Sequence, residues 1–544
     1  MKRTNLTFSY IIVLLLAGFS FFMSALISRT VFERLPHLED EVAYLYQAKL
    51  LAGGHSIIPS PEPRRAYWQP FIVDRGGLRF GKYSLGWPGT LAGGVRMGQP
   101  WVVNAWLAAL TVALVYRLGS DVFNRDTGVL AAALTAFSPM ALLLNGTLMG
   151  HTAALFWVVL FLWAYRQLEH RRHPLRWGVI AGVALGMNLI NRPLTAVGVA
   201  LPFVLWSAVR IGRWGMMPLI FAQNSGKVSG MIPHAPTDNS EHRRIRALFV
   251  LATVTLLVGA VIPLYNLAAT GDATQNLYVF VWSYDKVGFG EGFGRHGHTL
   301  EKGIRQARWD LSLTAADMFG WQLGTITPEL QDHLRENSDY WPVVGVSWVL
   351  LPFGLWIGRK RRWVWLLLGV MVSLVVVHMA YWIGSQRYGT RYYYEGLVAA
   401  ALLSAVPLAW LARHWKRWPV YLGLGVVLVY SLYVYSTPRI MALYRFNQIS
   451  PELIEAVEVR RVDDRPILAL VTGNNVRWRA YGALMTVTSP YLDSEIVVAL
   501  DNTQPGVREQ ILARFPDRQV IELLAEDNYA WFPDEPRPAE LPGG

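Results

Sequence analysis

The chain of 544 residues contains no cysteine. That excludes disulfides and thiolate metal sites, and it is compatible with an oxidising exterior without proving one. Charge is also scarce, at 16% of residues against 53% hydrophobic. With a mean hydropathy of +0.27, the chain is too apolar for an ordinary soluble protein and reads as a multi-span membrane protein. The polar segment after Pro438 has no GxGxxG and no P-loop, and the chain shows no soluble repeat and no low-complexity tract. The net charge of +12 clusters beside apolar runs, so it reads as the positive-inside bias, and no nucleic-acid partner is expected. The 23 Trp and 24 Tyr suit two membrane–water interfaces.

The hydropathy pattern predicts a polytopic α-helical protein of about eleven transmembrane helices followed by a small C-terminal α/β domain. The spans are expected near 6–27, 100–118, 127–144, 152–168, 177–190, 194–209, 247–268, 341–357, 363–383, 392–411 and 419–435. Basic loops around 169–176, 210–246, 359–362 and 413–417, with the tight turn 124–126, are expected on the inner face. Lys2 and Arg3 ahead of a long apolar run, with no small-x-small cleavage pattern after it, predict a retained first span with a cytoplasmic N-terminus. An odd number of spans then places the C-terminus outside. The expected division is a transmembrane domain over 1–436, with long outer loops at 29–99 and 270–340, and an extracytoplasmic domain over 437–544 ending in a disordered Pro- and acid-rich tail. That domain is expected to hold strands near 467–472, 495–500 and 520–523 and a helix near 507–515; no chemistry is assigned to it. The cell (inner or plasma) membrane is the expected location.

The stretch around which the rest is organised is Glu39-Asp40-Glu41, shortly after the first span and opening a helix-like segment that Gly53-Gly54 stops. Carboxylates this close to lipid are expensive unless they bind, pair or catalyse. In the expected topology the other unusual polar groups lie on the same side: Lys82 and Tyr83, His151, Asn191-Arg192, Arg295 with His296 and His298, Arg387, Arg391 and Glu395. Cations there run against the positive-inside bias and call for a separate reason. A lipid-linked phosphate is one, since Arg offers fixed N–H donors and Lys a point charge. Each group also has an ordinary reading. The acidic triplet could only complement a helix dipole, Lys82 could snorkel, His151 could be a hydrogen-bonded turn residue, and Arg391 and Glu395 could pair along one helix face. Glu41, His151, His296 and His298 are the candidate ligands for a divalent metal cation.

Taken together, these residues resemble the GT-C glycosyltransferases, in the branch of the protein O-mannosyltransferases and the aminoarabinose transferase of lipid A (glycosyltransferase families 39 and 83). The resemblance rests on Asp40-Glu41 soon after the first span, followed by Tyr44 and Ala48, on the long first outer loop, and on Lys82 ahead of Trp87-Pro88. It implies transfer of a sugar from a polyprenyl-phosphate donor to an acceptor glycan, lipid or protein on the extracytoplasmic face. Asp40 would be the catalytic base, Glu41 its support or a metal ligand, and Lys82 a ligand of the donor phosphate. Tyr83, His151, Arg192, Arg387 and Arg391 are candidate substrate-binding residues. Many members carry a second acid at the outer turn between spans 3 and 4. Here that turn is Gly146-Thr147-Leu148-Met149-Gly150-His151, with His151 in its place, which leaves a metal requirement open. A transporter or flippase of lipid-linked saccharides and a polymerase or ligase of surface polysaccharide remain as alternatives. The first would favour ionisable groups at mid-membrane depth and broken helices repeated in two halves.

Overall fold

The computed structural model describes residues 2–224, 239–323, 344–385, 387–501 and 504–538. Parts of the second outer loop and the start of the eighth expected span fall in 324–343, and the end of the tail in 539–544, outside the described residues.

The protein is mostly helical. Among the described residues, six helices are long and apolar enough to cross a membrane, or seven if a bent pair counts as one span. That pair, Arg125–Ala136 and Pro139–Asn145, bends by 58°. The break falls where Ser138 restarts the helix, its hydroxyl accepting from the Ala141 N–H ahead of Pro139 at the first turn. Other expected spans form helices that are shorter or more polar: His151–His170 carries Trp, Tyr and Arg, Pro174–Asn191 has 18 residues, and Arg362–His378 has 17. Helix Pro174–Asn191 packs on Asn239–Gly259 through Gly178, Gly182 and Gly186, spaced by four. A Cβ at these positions would stand 2.5 Å from the Ala247 carbonyl oxygen, 2.7 Å from that of Leu251 and 2.6 Å from the Val258 Cβ. Only small residues permit that approach of two backbones.

The segments expected on the inner face meet one another. Arg361 donates to the Val122 carbonyl at 3.1 Å. The buried Glu169 carboxylate pairs with Arg362 at 2.7 Å and Arg210 at 3.7 Å. Asp126 pairs with Arg417 at 3.4 Å and Arg413 at 3.7 Å.

At the opposite end of the bundle stand the first outer loop and the α/β unit. The loop opens with helix Glu39–Ala52 and folds into a three-stranded antiparallel sheet of Ile58–Pro59, Ile72–Arg75 and Leu78–Gly81, the last in the centre. Gly76 and Gly77 both take positive φ (58° and 77°) in the two-residue turn joining the last two strands. This conformation suits glycine and matches strand twist. Near the C-terminus, Ile467–Thr472 is flanked by Ile496–Asp501 and Gln519–Glu526, both parallel to it, and Tyr529–Trp531 adds an antiparallel edge. Strand Ile467–Thr472 is buried along nearly its whole length, as a central parallel strand should be.

Candidate active site

The site is held by three segments that meet at the end of the bundle opposite the basic loops. Gly86 lets the loop touch the end of helix Pro174–Asn191, where a Cβ would stand 2.6 Å from the Ile190 carbonyl. Trp87 donates its indole N–H to the Leu148 carbonyl at 2.8 Å, and Asn191 donates to the Gly150 carbonyl at 3.0 Å. The Lys82-to-Trp87 stretch, the turn before His151 and the Asn191-Arg192 break are thereby fastened together. Around them lies a cavity of about 2130 Å³ lined by Asp40, Tyr44, Lys82, Tyr83, His151, Arg192, Arg387, Arg391 and Tyr392, among others.

Asp40 presents its carboxylate to this cavity. Tyr83 donates to one oxygen and Arg391 to the other at 3.3 Å. Burial acts to raise its pKa, but the Arg391 and Lys82 charges and the Tyr83 hydroxyl outweigh it and hold the carboxyl below its ordinary range. Lys82 is 4% exposed. Its ammonium sits 3.7 Å from the centre of the Phe71 ring and about 5 Å from those of Tyr83, Tyr278 and Trp282. It pairs with Asp285 at 3.6 Å. Burial lowers its pKa against the opposing pull of Asp40 and Asp285. Asp285 in turn accepts from Tyr381 and Trp382, each at 3.1 Å.

Arg391 and Glu395 do not pair with each other. They stand on a 3-10 segment, Arg391–Gly396, whose three-residue turn sends positions four apart to different faces. Arg391 goes to Asp40, and Glu395 goes to Arg192 at 3.2 Å. His151 is 1% exposed and lines the cavity, and neither ring nitrogen has a hydrogen-bond partner among the described residues. Arg387 lies exposed at the cavity wall.

Glu41 requires a correction: it is not among the residues lining the cavity. One of its oxygens accepts from the Leu148 N–H at 2.7 Å. The other accepts from Tyr388 at 2.6 Å and from the His37 and Leu38 N–H groups at 2.9 and 3.2 Å. Four donors occupy the carboxyl, and burial pushes its pKa up to about 7. It ties the start of helix Glu39–Ala52 to the Leu148 turn and to Tyr388, next to Asp40 but facing away from the cavity.

The expected metal ligands are likewise not brought together. Among the described residues no group of three or more His, Asp or Glu side chains is placed to hold a metal ion. Glu41 is fully engaged, and His298 is held by the Met379 carbonyl at 2.8 Å and stacks on Phe289. His296 is exposed. Among the described residues this donor set does not fit a metal.

Sequence reasoning missed Asp285 and the aromatic ring of Phe71, Tyr278 and Trp282. A lone acid among aromatics, Trp282-Ser283-Tyr284-Asp285 in an outer loop, was the available signal.

Residues 90–222 match the sequence model of the family described as dolichyl-phosphate-mannose-protein mannosyltransferase. In three dimensions the chain is similar to ArnT from Cupriavidus metallidurans. The apo structure has a TM-score of 0.55 and 10% identity, with 96% of this chain and 93% of that one covered. The structure bound to undecaprenyl phosphate has a TM-score of 0.54 and 11% identity, with 94% and 89% covered. No curated protein matches the chain by sequence. The ArnT likeness carries the fold, and the match over residues 90–222 is to a family of mannosyltransferases, in line with the resemblance to the GT-C type.

Proposed function

We propose that the protein transfers a sugar from a polyprenyl-phosphate donor to an acceptor at the extracytoplasmic face, with inversion, using Asp40 as the base. The observation that carries this reading is that Asp40 and Lys82, 42 positions apart in the chain, line one cavity together with Arg192 and Arg391. ArnT, whose fold the chain shares, has been solved with undecaprenyl phosphate bound, which supports a lipid phosphate as the leaving group.

In the proposed step an acceptor hydroxyl oxygen attacks the anomeric carbon as the bond from that carbon to the phosphate oxygen breaks. Its proton passes to the Asp40 carboxylate, and the bonding pair leaves with the polyprenyl phosphate. Because Asp40 is held in its charged form, it is ready to accept a proton at neutral pH. Lys82 and Arg391, with Arg192 behind them, stabilise the charge gathering on the phosphate. In a site shielded from water such fixed charges act more strongly than in solution. His151, unpartnered and facing the same space, has a donor and an acceptor available for a sugar hydroxyl.

The reading keeps the eleven-span topology, with the N-terminus in the cytoplasm and the unit after residue 437 outside. Two facts support it: the basic loops and the turn 124–126 contact one another at one end of the bundle, and the site residues gather at the other. The test is Asp40→Asn. Membranes from cells lacking this chain, supplied with the variant, should form glycosylated product about 100-fold more slowly or worse; product at the wild-type rate would remove Asp40 as the base.

A further inference from the structure

The α/β unit touches the catalytic helix along its length. Positions 40 and 44 of helix Glu39–Ala52 face the cavity, while Val42 and Lys49, seven apart and so on one stripe, face the unit. Val42 belongs to the core that contains Ile449, Trp478, Tyr481 and Leu484. The Lys49 ammonium donates to the Thr486 and Thr488 carbonyls, the latter at 3.1 Å. Past the helix end, the Tyr491 hydroxyl bonds the Leu50 carbonyl at 3.3 Å and the His55 ring at 3.0 Å. A Cβ at Gly53 would stand 2.5 Å from that hydroxyl. Ahead of the helix, Asn447 donates to the His37 carbonyl at 2.7 Å. At the first turn the Trp478 indole N–H donates to the Glu39 carboxylate at 2.9 Å, and both residues line the cavity.

We infer that the α/β unit is a working part of the active site, and that the Trp478–Glu39 hydrogen bond positions the neighbouring Asp40 for proton transfer. The inference rests on the sugar-transfer reading and assigns Trp478 and Glu39 as positioning residues. Helix Glu39–Ala52 lies outside the bundle, so its first turn draws its placement from two sides. Glu41 ties it to the membrane-embedded part and Glu39 to the α/β unit. Displacing a reacting group by about 1 Å can cost on the order of 100-fold in rate, so loosening one tie should lower turnover without removing the lipid site.

The test uses the full chain in membranes of cells lacking the native copy, which supply their own donor and acceptor, together with undecaprenyl phosphate binding to the purified protein. Trp478→Phe keeps a ring but loses the donor, and Glu39→Ala loses the acceptor. Each should lower the initial rate of product formation roughly 10-fold or more and leave undecaprenyl phosphate affinity within about two-fold of wild type. Glu39→Gln, whose amide oxygen still accepts from the indole, should recover most of the rate lost in Glu39→Ala. That recovery distinguishes positioning from simple loss of folding, and the Glu39 pair keeps the test open should Trp478→Phe fold poorly. Wild-type rates in both Trp478→Phe and Glu39→Ala overturn the inference, as does a Glu39→Gln rate no better than that of Glu39→Ala. If the wild-type chain itself yields no product, it is the transfer reading that falls.

Discussion

Replacing Lys82 separates its structural duty from its binding duty. Lys82 and Asp285 form a buried pair, their side chains 4% and 1% exposed. Lys82→Met keeps a chain of similar length among Phe71, Tyr83, Tyr278 and Trp282 but leaves the Asp285 charge uncompensated. Breaking such a pair from one side costs about 3–5 kcal/mol. Tyr381 and Trp382 still donate to Asp285, which places the expected loss at the lower end, about 3 kcal/mol. The double variant Lys82→Met/Asp285→Asn removes the orphaned charge and should recover most of that stability, read as thermal unfolding in detergent. It should not recover lipid binding. A charge-assisted contact to phosphate contributes about 1.5–3 kcal/mol, so undecaprenyl phosphate affinity should fall roughly 10- to 100-fold in both the single and the double variant. Recovery of both stability and affinity in the double variant would refute the reasoning, since Lys82 would then serve only to neutralise Asp285.

Two further outcomes follow from the geometry. Glu41→Ala strands four donors in the interior and should lower the unfolding free energy by roughly 3 kcal/mol or more. Glu41→Gln keeps one amide oxygen for these donors while its NH2 meets a donor on the other side, so it should cost less stability than Glu41→Ala and retain transfer within a few-fold; loss of transfer with unchanged unfolding would return Glu41 to the chemistry. The depressed pKa of Asp40 means its carboxylate is lost only as pH falls below the ordinary carboxylate range of about 4. The transfer rate should therefore show no acid limb from Asp40 between pH 8 and roughly 5. A limb near pH 6 that shifts in Asp40→Glu would contradict this.

Much of the site was legible because its residues violate a strong rule: acids and cations beside lipid, on the face that positive-inside bias should leave poor in cations. Asp40, Lys82, His151, Arg192 and Arg391 stood out for that reason, and the structure gathers them around one cavity. What stayed hidden depends on rotation and long-range contact. Adjacent helix residues point about 100° apart, so sequence could not tell which of Asp40 and Glu41 faces the cavity. The crossed pairing of Arg391 with Asp40 and of Glu395 with Arg192 follows from a 3-10 turn where an α-helical spacing was expected. The aromatic surroundings of Lys82 come from residues around 71, 83, 278 and 282, which no local pattern connects. The strands of the α/β unit were visible as short apolar runs, yet its contact with helix Glu39–Ala52 through Trp478 was not. In the membrane part, helix existence was plain from hydropathy, while the break at Ser138 and the polar, aromatic-rich shorter helices blur any count made by length and composition alone.

The central claim is best tested by initial rates of sugar transfer in membranes carrying Asp40→Asn, with undecaprenyl phosphate binding to the purified variant measured alongside. The amide keeps the shape of the carboxyl but cannot take the proton. A general base contributes about 100- to 10,000-fold, so the rate should fall by that order while lipid binding holds or tightens, the positive charges of Arg391 and Lys82 being freed from Asp40. A variant that transfers sugar within a few-fold of the wild-type rate would contradict the account.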